Sequence, residues 1–387
     1  GGEARLVGGV VRNALLGLPV SDYDIATDLS PQQVVERAQK AGIRCVPTGI
    51  DHGTVTLVID GIPFEVTTLR VDVKTDGRRA EVAFTDDWKA DAERRDFTIN
   101  ALYLDADGTI HDEVGGLADL ETRTIRFIGS AAERIAEDHL RILRFFRFFA
   151  HYGAGRPDAE GLKACAAAKG KIKALSAERV WGETKKLLSA RDPGRALLWM
   201  RTTGVLTEVL PETEKWGIDA VGGLVEAESA FSWPVEPLLR LAAIVPPDAP
   251  RLAAMAERLR MSRAEARWLA DFAGAPAIPD TLDHAGLARL LYRHGRDGIT
   301  ARLKLMLASL RQKDAMSIAG LTAILRLSDF LDFAEAWQKP VFPLKGSDLM
   351  AAGMAAGPEL GKRLARLEDI WIEADFKPGC AELLAVE

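Results

Sequence analysis

Two aspartates one residue apart, Asp22 and Asp24 in Ser21-Asp22-Tyr23-Asp24-Ile25, follow closely on a glycine turn at Gly8-Gly9. On a strand, residues two apart face the same side, so both carboxylates can converge on one site. Neighbouring carboxylates repel each other and lose hydration, a cost that a bound cation removes. Their hard oxygens suit Mg2+, which takes one or two protein carboxylates and completes its shell with substrate phosphates. The turn Leu6-Val7-Gly8-Gly9-Val10-Val11-Arg12 supplies the other half. Backbone N–H groups at Gly8 and Gly9 can approach an anion where a helix begins, and Arg12 can reach the same anion. A bare Gly-Gly is usually only a turn, and a bare Asp-x-Asp an acidic surface. At this spacing the two together point to two-metal phosphoryl or nucleotidyl transfer. Glu65, in Pro63-Phe64-Glu65-Val66-Thr67, lies on a candidate neighbouring strand, either as a third carboxylate or as a solvent-facing residue.

These residues need a sheet to hold them. Up to about Ile128 the chain alternates short β-branched runs with Gly, Pro and Asp. Gly53 to Asp60 and Pro63 to Leu69 flank Asp60-Gly61 and predict a hairpin; Thr124 to Gly129 predicts a further strand. One helix should follow Gly8-Gly9 and another should span Pro31 to Ala41, with Ser30 as N-cap and Pro31 in the first turn. From about Ser130 the periodicity becomes helical: Ala131 to Ala150, Ser176 to Ser189, Pro193 to Thr203, Arg251 to Phe272 and His284 to Leu310. The expectation is a mixed head followed by a long all-helical extension.

Composition narrows the rest. A chain of 387 residues with 48% hydrophobic content can bury a core, which excludes disorder and low-complexity fibres. Cys45, Cys165 and Cys380 are far apart and odd in number, so no disulfide framework or CxxC zinc knuckle is expected and a reducing, cytoplasmic compartment is. The six histidines show no ligand spacing, which argues against zinc. No apolar run reaches membrane-spanning length, and the first residues lack a signal peptide's charged and apolar regions, so none is expected. Because the chain starts Gly-Gly without Met and reaches its motifs at once, a short N-terminal piece is expected to be missing. The net charge of −6 argues mildly against a nucleic-acid partner, though it says nothing of local patches.

Four motifs, in order and in approximate spacing, resemble those of the bacterial class II CCA-adding enzymes, which share a family with bacterial poly(A) polymerases. They are Gly-Gly-Val-Val-Arg, the Asp22/Asp24 pair, Arg94-Arg95-Asp96-Phe97-Thr98-Ile99-Asn100-Ala101 and Glu137-Asp138-His139-Leu140-Arg141-Ile142-Leu143-Arg144. The match is close in the N-terminal half and looser to the end, where Gly346-Ser347-Asp348-Leu349 and Gly357-Pro358-Glu359-Leu360-Gly361 look like that family's C-terminal segment. Asn13 departs from it, standing where Asp usually follows Val-Arg. The resemblance implies an α+β head, a nucleotidyltransferase palm of the DNA polymerase β type, over residues 1–128. An all-α neck (129–190), body (191–280) and tRNA-binding tail (281–387) would follow in a hook-like molecule. It implies template-independent addition of C, C and A to the tRNA 3′ end from CTP and ATP, with Mg2+ on Asp22 and Asp24 and no membrane or protein partner.

Residue roles follow from the same resemblance. Gly8, Gly9, Arg12 and Arg95 would hold the triphosphate beside Asp96. Asp138 and Arg141 would read the base, with Arg144 and Arg147 adding nucleotide or phosphate contacts. Cytosine and adenine each present an amino donor beside an unprotonated ring nitrogen, which a carboxylate and an arginine satisfy. Uracil and guanine present the reverse, and unpaired buried polar groups reject them. Without the resemblance, Asp138, Arg141, Arg144 and Arg147 would be read as a salt-bridged stripe winding round one unbroken helix. Phe145, Phe146, Phe148 and Phe149 are expected in the core rather than stacked on bases, and Ser176, Glu178, Arg179 and Trp181 are read as structural. Asp72 to Trp88, with Thr75-Asp76-Gly77-Arg78-Arg79, occupies the place of the family's flexible loop and favours full C-C-A addition. Arg258, Arg260, Arg263, Arg267, Arg289, Arg293, Arg296, Arg302 and Lys304 either track RNA phosphates or form solvated helix faces. A poly(A) polymerase, a non-catalytic RNA-binding protein and a small-molecule nucleotidyltransferase are the alternatives.

Overall fold

The computed structural model describes residues 2–76, 79–314 and 317–386. Gly77 and Arg78 of the expected loop lie outside the described residues. The chain divides into two compact units, Gly1–Pro211 and Glu212–Glu387.

The first unit opens with β1 (Ala4–Val7), α1 (Gly9–Leu15), β2 (Tyr23–Thr27), α2 (Pro31–Lys40), β3 (Arg44–Gly49), β4 (Thr54–Ile59) and β5 (Ile62–Thr68). Then come β6 (Arg70–Asp76), β7 (Arg79–Phe84), α3 (Trp88–Glu93), β8 (Leu102–Leu104), β9 (Ile110–Asp112) and α4 (Gly116–Glu121). Seven strands form one sheet in the order β3-β4-β5-β2-β1-β8-β9, and β6 and β7 form a separate hairpin. Only β2 and β5 run parallel among the paired neighbours, with Asp24 opposite Glu65. The β4–β5 hairpin turns at Asp60-Gly61, both at positive φ, the geometry of a two-residue type I′ turn. Ser30 caps α2 in a reciprocal capping box with Gln33. Both expectations hold.

Thr124 to Gly129 does not add a strand: only Phe127 bridges to Phe97, and the Thr98 amide donates to the Arg126 carbonyl. Its apolar residues serve the core instead, where Ile125, Phe127 and Ile128 are buried. The expected helix from Ala131 to Ala150 is two helices, α5 (Ala131–Glu137) and α6 (Arg141–Tyr152). Asp138 between them is extended (φ −147°), so the stripe of four charges does not share one unbroken helix. Four further helices complete the unit: α7 (Ala159–Ala168), α8 (Ala177–Leu188), α9 (Gly194–Thr203) and α10 (Val205–Val209). Phe145, Phe146, Phe148 and Phe149 of α6 are buried, and Phe145 stacks on Phe127 at 5.4 Å. They are core residues, as their helical spacing implied.

The second unit is helical: α11 (Ala220–Ala230), α12 (Pro237–Ile244), α13 (Ala249–Arg258), α14 (Arg263–Gly274), α15 (His284–His294), α16 (Arg296–Asp314), α17 (Ile318–Ala336), α18 (Gly346–Ala351), α19 (Pro358–Glu373) and α20 (Cys380–Leu384). Arg251 to Phe272 is broken because Ser262 and Glu265 start α14 with a capping box. His284 to Leu310 is broken at Gly295, whose φ of 79° ends α15. Among the described residues, no helix is long and apolar enough to cross a membrane.

Arg240 of α12 is 1% exposed and donates to Glu228 of α11, itself 4% exposed, through Nε (3.1 and 3.2 Å) and a terminal nitrogen (2.6 Å). Removing one member of such a pair strands a buried charge, at a cost of about 3–5 kcal/mol. Glu228→Ala is therefore expected to lower the urea-unfolding free energy of the second unit by about that amount. A change under about 1 kcal/mol would show that water reaches the pair.

Candidate active site

Gly8, Gly9, Arg12, Asp24, Arg95, Asp96, Asp138, Arg141 and Arg144 line one cleft of about 530 Å³ in the first unit, together with Arg70, Arg94 and Arg179. Asp22, Glu65 and Arg147 are not part of that lining. The cleft forms where the end of β1, the segment after α3 and the start of α6 meet. Gly8 has φ 72°, a conformation that disfavours any side chain, and its amide donates to the Leu102 carbonyl at 3.1 Å. That turn starts α1, a helix of only seven residues, so the positive potential here comes from the turn's amides and the surrounding arginines rather than from a long helix dipole.

Asp24 and Glu65 stand side by side on parallel strands, and Asp22 precedes β2 at its exposed start. Burial pushes the Asp24 carboxyl above its usual range, as do Glu65 and Asp22, while Arg95 pulls it down. Asp24 is half-buried beside two exposed carboxylates, Asp22 and Glu65, and their mutual repulsion is what a hard divalent cation relieves. Among the described residues, no three His, Cys, Asp or Glu are grouped tightly enough to hold an ion by themselves. Cations of the Mg2+ type use few protein carboxylates and draw the rest of their shell from phosphate and water.

Arg94 and Arg95 are held from behind by a residue the sequence reading did not single out. Asp91 of α3, 1% exposed, accepts from Arg94 Nε (2.8 Å), from Arg95 (2.9 and 3.2 Å) and from the Tyr103 hydroxyl (2.8 Å). Burial alone would raise its pKa, but Arg95 and Arg94 outweigh that and bring it down to about 2. Its spacing of three and four residues before the two arginines on a helix was the available signal. Asp96 is the next anchor. Its Oδ1 accepts from the Phe97 amide and from Asn100 Nδ2, both at 2.9 Å, and its Oδ2 from Arg144 at 2.8 Å. Burial opposes its ionisation, yet Arg144 and these hydrogen bonds hold its carboxyl below the usual range.

Arg12 is 6% exposed, and every hydrogen-bonded side chain around it is neutral: Asn100 Oδ1, the Tyr152 hydroxyl (2.8 Å) and Asn13 Oδ1 (3.0 and 3.2 Å). Its guanidinium also lies 4.0 Å from the centre of the Tyr152 ring. Asn13 accepts from Arg12 while donating to the Pro19 carbonyl at 3.0 Å, and an aspartate could not make the second bond. Arg147 points elsewhere, donating to Glu183 of α8 at 2.6 Å with its guanidinium 4.4 Å from the Phe148 ring centre.

At the other end of the cleft, Asp138 accepts from the Leu140 amide (3.0 Å) on one oxygen and from Arg179 of α8 (2.7 Å) on the other. Arg141 donates to the Arg134 carbonyl (2.8 Å) and to Glu137. The sequence alone reads Arg179 as structural, whereas the structure makes it part of the wall of the cleft. No local pattern could have shown this, because it reaches Asp138 across 41 positions of chain. In the second unit several of the cations noted above are tied internally: Arg258 to Glu212, Arg289 to Asp375, Arg293 to Asp369 and Glu373, and Lys304 to Glu236. Arg263 and Arg267 of α14 are exposed.

Comparison with known proteins places this geometry. Residues 4–126 match the family described as the poly A polymerase head domain, and residues 156–216 the one described as a probable RNA and SrmB-binding site of polymerase A. The chain is 35% identical to CCA tRNA nucleotidyltransferase 1, mitochondrial, of Danio rerio, over 99% of this chain and 86% of the relative. It is also 35% identical to the CCA-adding enzyme of Streptococcus sanguinis, over 95% and 88% of the two chains. The crystal structure of the Bacillus stearothermophilus CCA-adding enzyme in complex with CTP superposes with a TM-score of 0.74 at 26% identity, covering 97% of this chain and 90% of that one.

The Asp91 anchor has a measurable signature. A carboxyl held near 2 when folded and near 3.8 when unfolded stabilises the fold above pH about 4, and that contribution disappears as pH falls toward 2. Asp91→Asn should therefore be less stable than the parent at pH 6, and the gap should narrow as pH falls from 4 to 2. Urea midpoints across that range test this, and a gap independent of pH would mean that the carboxylate is not held as described.

Proposed function

The chain belongs to the family of CCA-adding tRNA nucleotidyltransferases, and we propose how its residues divide that work. The reaction adds C, C and A to the 3′ end of tRNA, takes the nucleotides from CTP and ATP, and releases pyrophosphate. The head is a nucleotidyltransferase palm of the DNA polymerase β type. One observation carries the assignment of roles: a single cleft is lined by the glycine turn, Asp24, the arginines beside Asp96, and the Asp138–Arg141 pair.

In this reading Asp22 and Asp24 hold Mg2+, with Glu65 beside them as the third carboxylate. The family is metal-dependent, and the crowded oxygens at β2 and β5 support this ion. An ion held by these carboxylates would lower the pKa of the RNA 3′-hydroxyl and offset charge developing on the α-phosphate. The amides of Gly8 and Gly9, with Arg12 and Arg95, hold the triphosphate so that the 3′-oxygen meets the α-phosphorus in line with the departing pyrophosphate. Arg12 suits this role because the side chains it hydrogen-bonds are all neutral. Asp96 and Arg144 form the adjoining wall, and Arg147 positions Phe148 beneath the arginines.

Asp138 and Arg141 select the base. Two carboxylate bonds to Leu140 and Arg179 aim Asp138 and still leave lone pairs for an exocyclic amino group. Arg141 retains donors for the unprotonated ring nitrogen that cytosine and adenine share. Full C-C-A addition is supported by the β6–β7 segment at the place of the family's loop. A cytoplasmic site of action is part of the same reading, supported by the free thiols of Cys45, Cys165 and Cys380.

Extension of a tRNA transcript ending at its discriminator base, resolved to single nucleotides, tests this. CTP alone should add two residues and ATP should add the third; chelation should stop both and Mg2+ should restore them. Asp24→Asn should lower the extension rate at least about a thousandfold, some 4 kcal/mol of transition-state stabilisation. Long A-tails on unrelated RNA would identify a poly(A) polymerase instead. Asp138→Ala should reduce the preference for CTP over UTP about a hundredfold or more. Retained preference would assign base selection to other residues.

A further inference from the structure

A second cavity, of about 500 Å³, lies wholly within the second unit and shares no residue with the reaction cleft. Its walls are largely apolar, with Ala242, Phe272, Ile278 and Met306 among them, and Arg302 of α16 is set into them. Exposed Asp219 and Lys313 also line it. Other cations of this unit meet carboxylates: Arg240 bonds Glu228, and Lys304, two positions after Arg302, bonds Glu236 at 2.9 Å. Arg302 does not. Its Nε is shut off from solvent and has no hydrogen bond, while one terminal nitrogen donates to the Ala275 carbonyl at 3.0 Å. Its guanidinium stands 4.6 Å from the centre of the Phe272 ring.

A cation partly removed from water without a counter-charge is expensive. The face of Phe272 offsets only a small part of this cost. Burial also disfavours the charged guanidinium, and no acidic partner counters it. The partner that this arrangement lacks is an anion, and the open space beside Arg302 is the size of a small-molecule site. We propose that the cavity binds a small organic anion with an apolar body, its carboxylate on Arg302 and its hydrocarbon part against Phe272, Ile278 and Met306. A nucleic-acid phosphate would bring polar sugar and hydrated oxygens against these apolar walls, so it fits less well.

Calorimetric titration of the full chain with sodium octanoate, octanamide and inorganic phosphate tests the assignment. Saturable one-to-one binding of octanoate is expected, with octanamide at least about tenfold weaker and phosphate without measurable binding. Arg302→Met should abolish the advantage of octanoate over octanamide while keeping the parent's circular dichroism. Should that variant not fold, the comparison of the two ligands on the parent chain still decides. Equal affinity for octanoate and octanamide, or no saturable binding of either, overturns the proposal. Phosphate binding as tight as octanoate, displaced by an RNA duplex, overturns it in favour of a backbone-binding site.

Discussion

A buried carboxylate, Asp96, keys the sheet to the helices that follow it. It takes the Phe97 amide and Asn100 on one oxygen and Arg144 of α6 on the other. Asn100 accepts in turn from Arg12 of α1. One charge-assisted network thus fixes the glycine turn, the segment after α3 and the first turns of α6, which are the three walls of the cleft. Buried charges stabilise a fold only when their hydrogen-bonding capacity is filled, and here two near neighbours in the chain fill one oxygen while Arg144, 48 positions on, fills the other. Asp91 repeats the device one layer back, where it aligns Arg94 and Arg95 against Tyr103.

The cleft's charge has the opposite sign to the chain's. Seven arginines and three aspartates line it, in a protein of net charge −6. Local potential, not total charge, sets what a concave site attracts. The acidic total reflects surfaces elsewhere, where many cations of the helical second unit are already paired with Asp and Glu. Positive potential is therefore concentrated in the cleft, and the carboxylates of β2 and β5 stand beside it.

The break between α5 and α6 shows how a local departure from regular structure creates a site. An unbroken helix would carry Asp138, Arg141, Arg144 and Arg147 around its axis. Because Asp138 is extended, its carboxylate instead caps the Leu140 amide and meets Arg179 from α8. Arg147, further along α6, passes out of the cleft to Glu183. Four charges at one sequence spacing acquire different jobs from one irregular residue.

Alternation and turn chemistry alone determine much of this head. The hairpin at Asp60-Gly61, the Ser30 capping box and the glycine turn before α1 are local events, decided by residues within a few positions of one another. The motif spacing likewise points to the reaction family, since the carboxylate pair, the glycine turn, the paired arginines and the Glu137–Arg144 motif are each contiguous. Helix length was less legible, because periodicity persists through Asp138, Ser262 and Gly295 where capping and backbone geometry end the helices. Only the tertiary structure decided which charged residues face the cleft and which are spent holding others in place. Arg179 joins the site and Arg147 leaves it because the partners Asp138 and Glu183 come from separate helices. A charge's role depends on which opposite charge lies within hydrogen-bond reach, and distance through space is not written in distance along the chain.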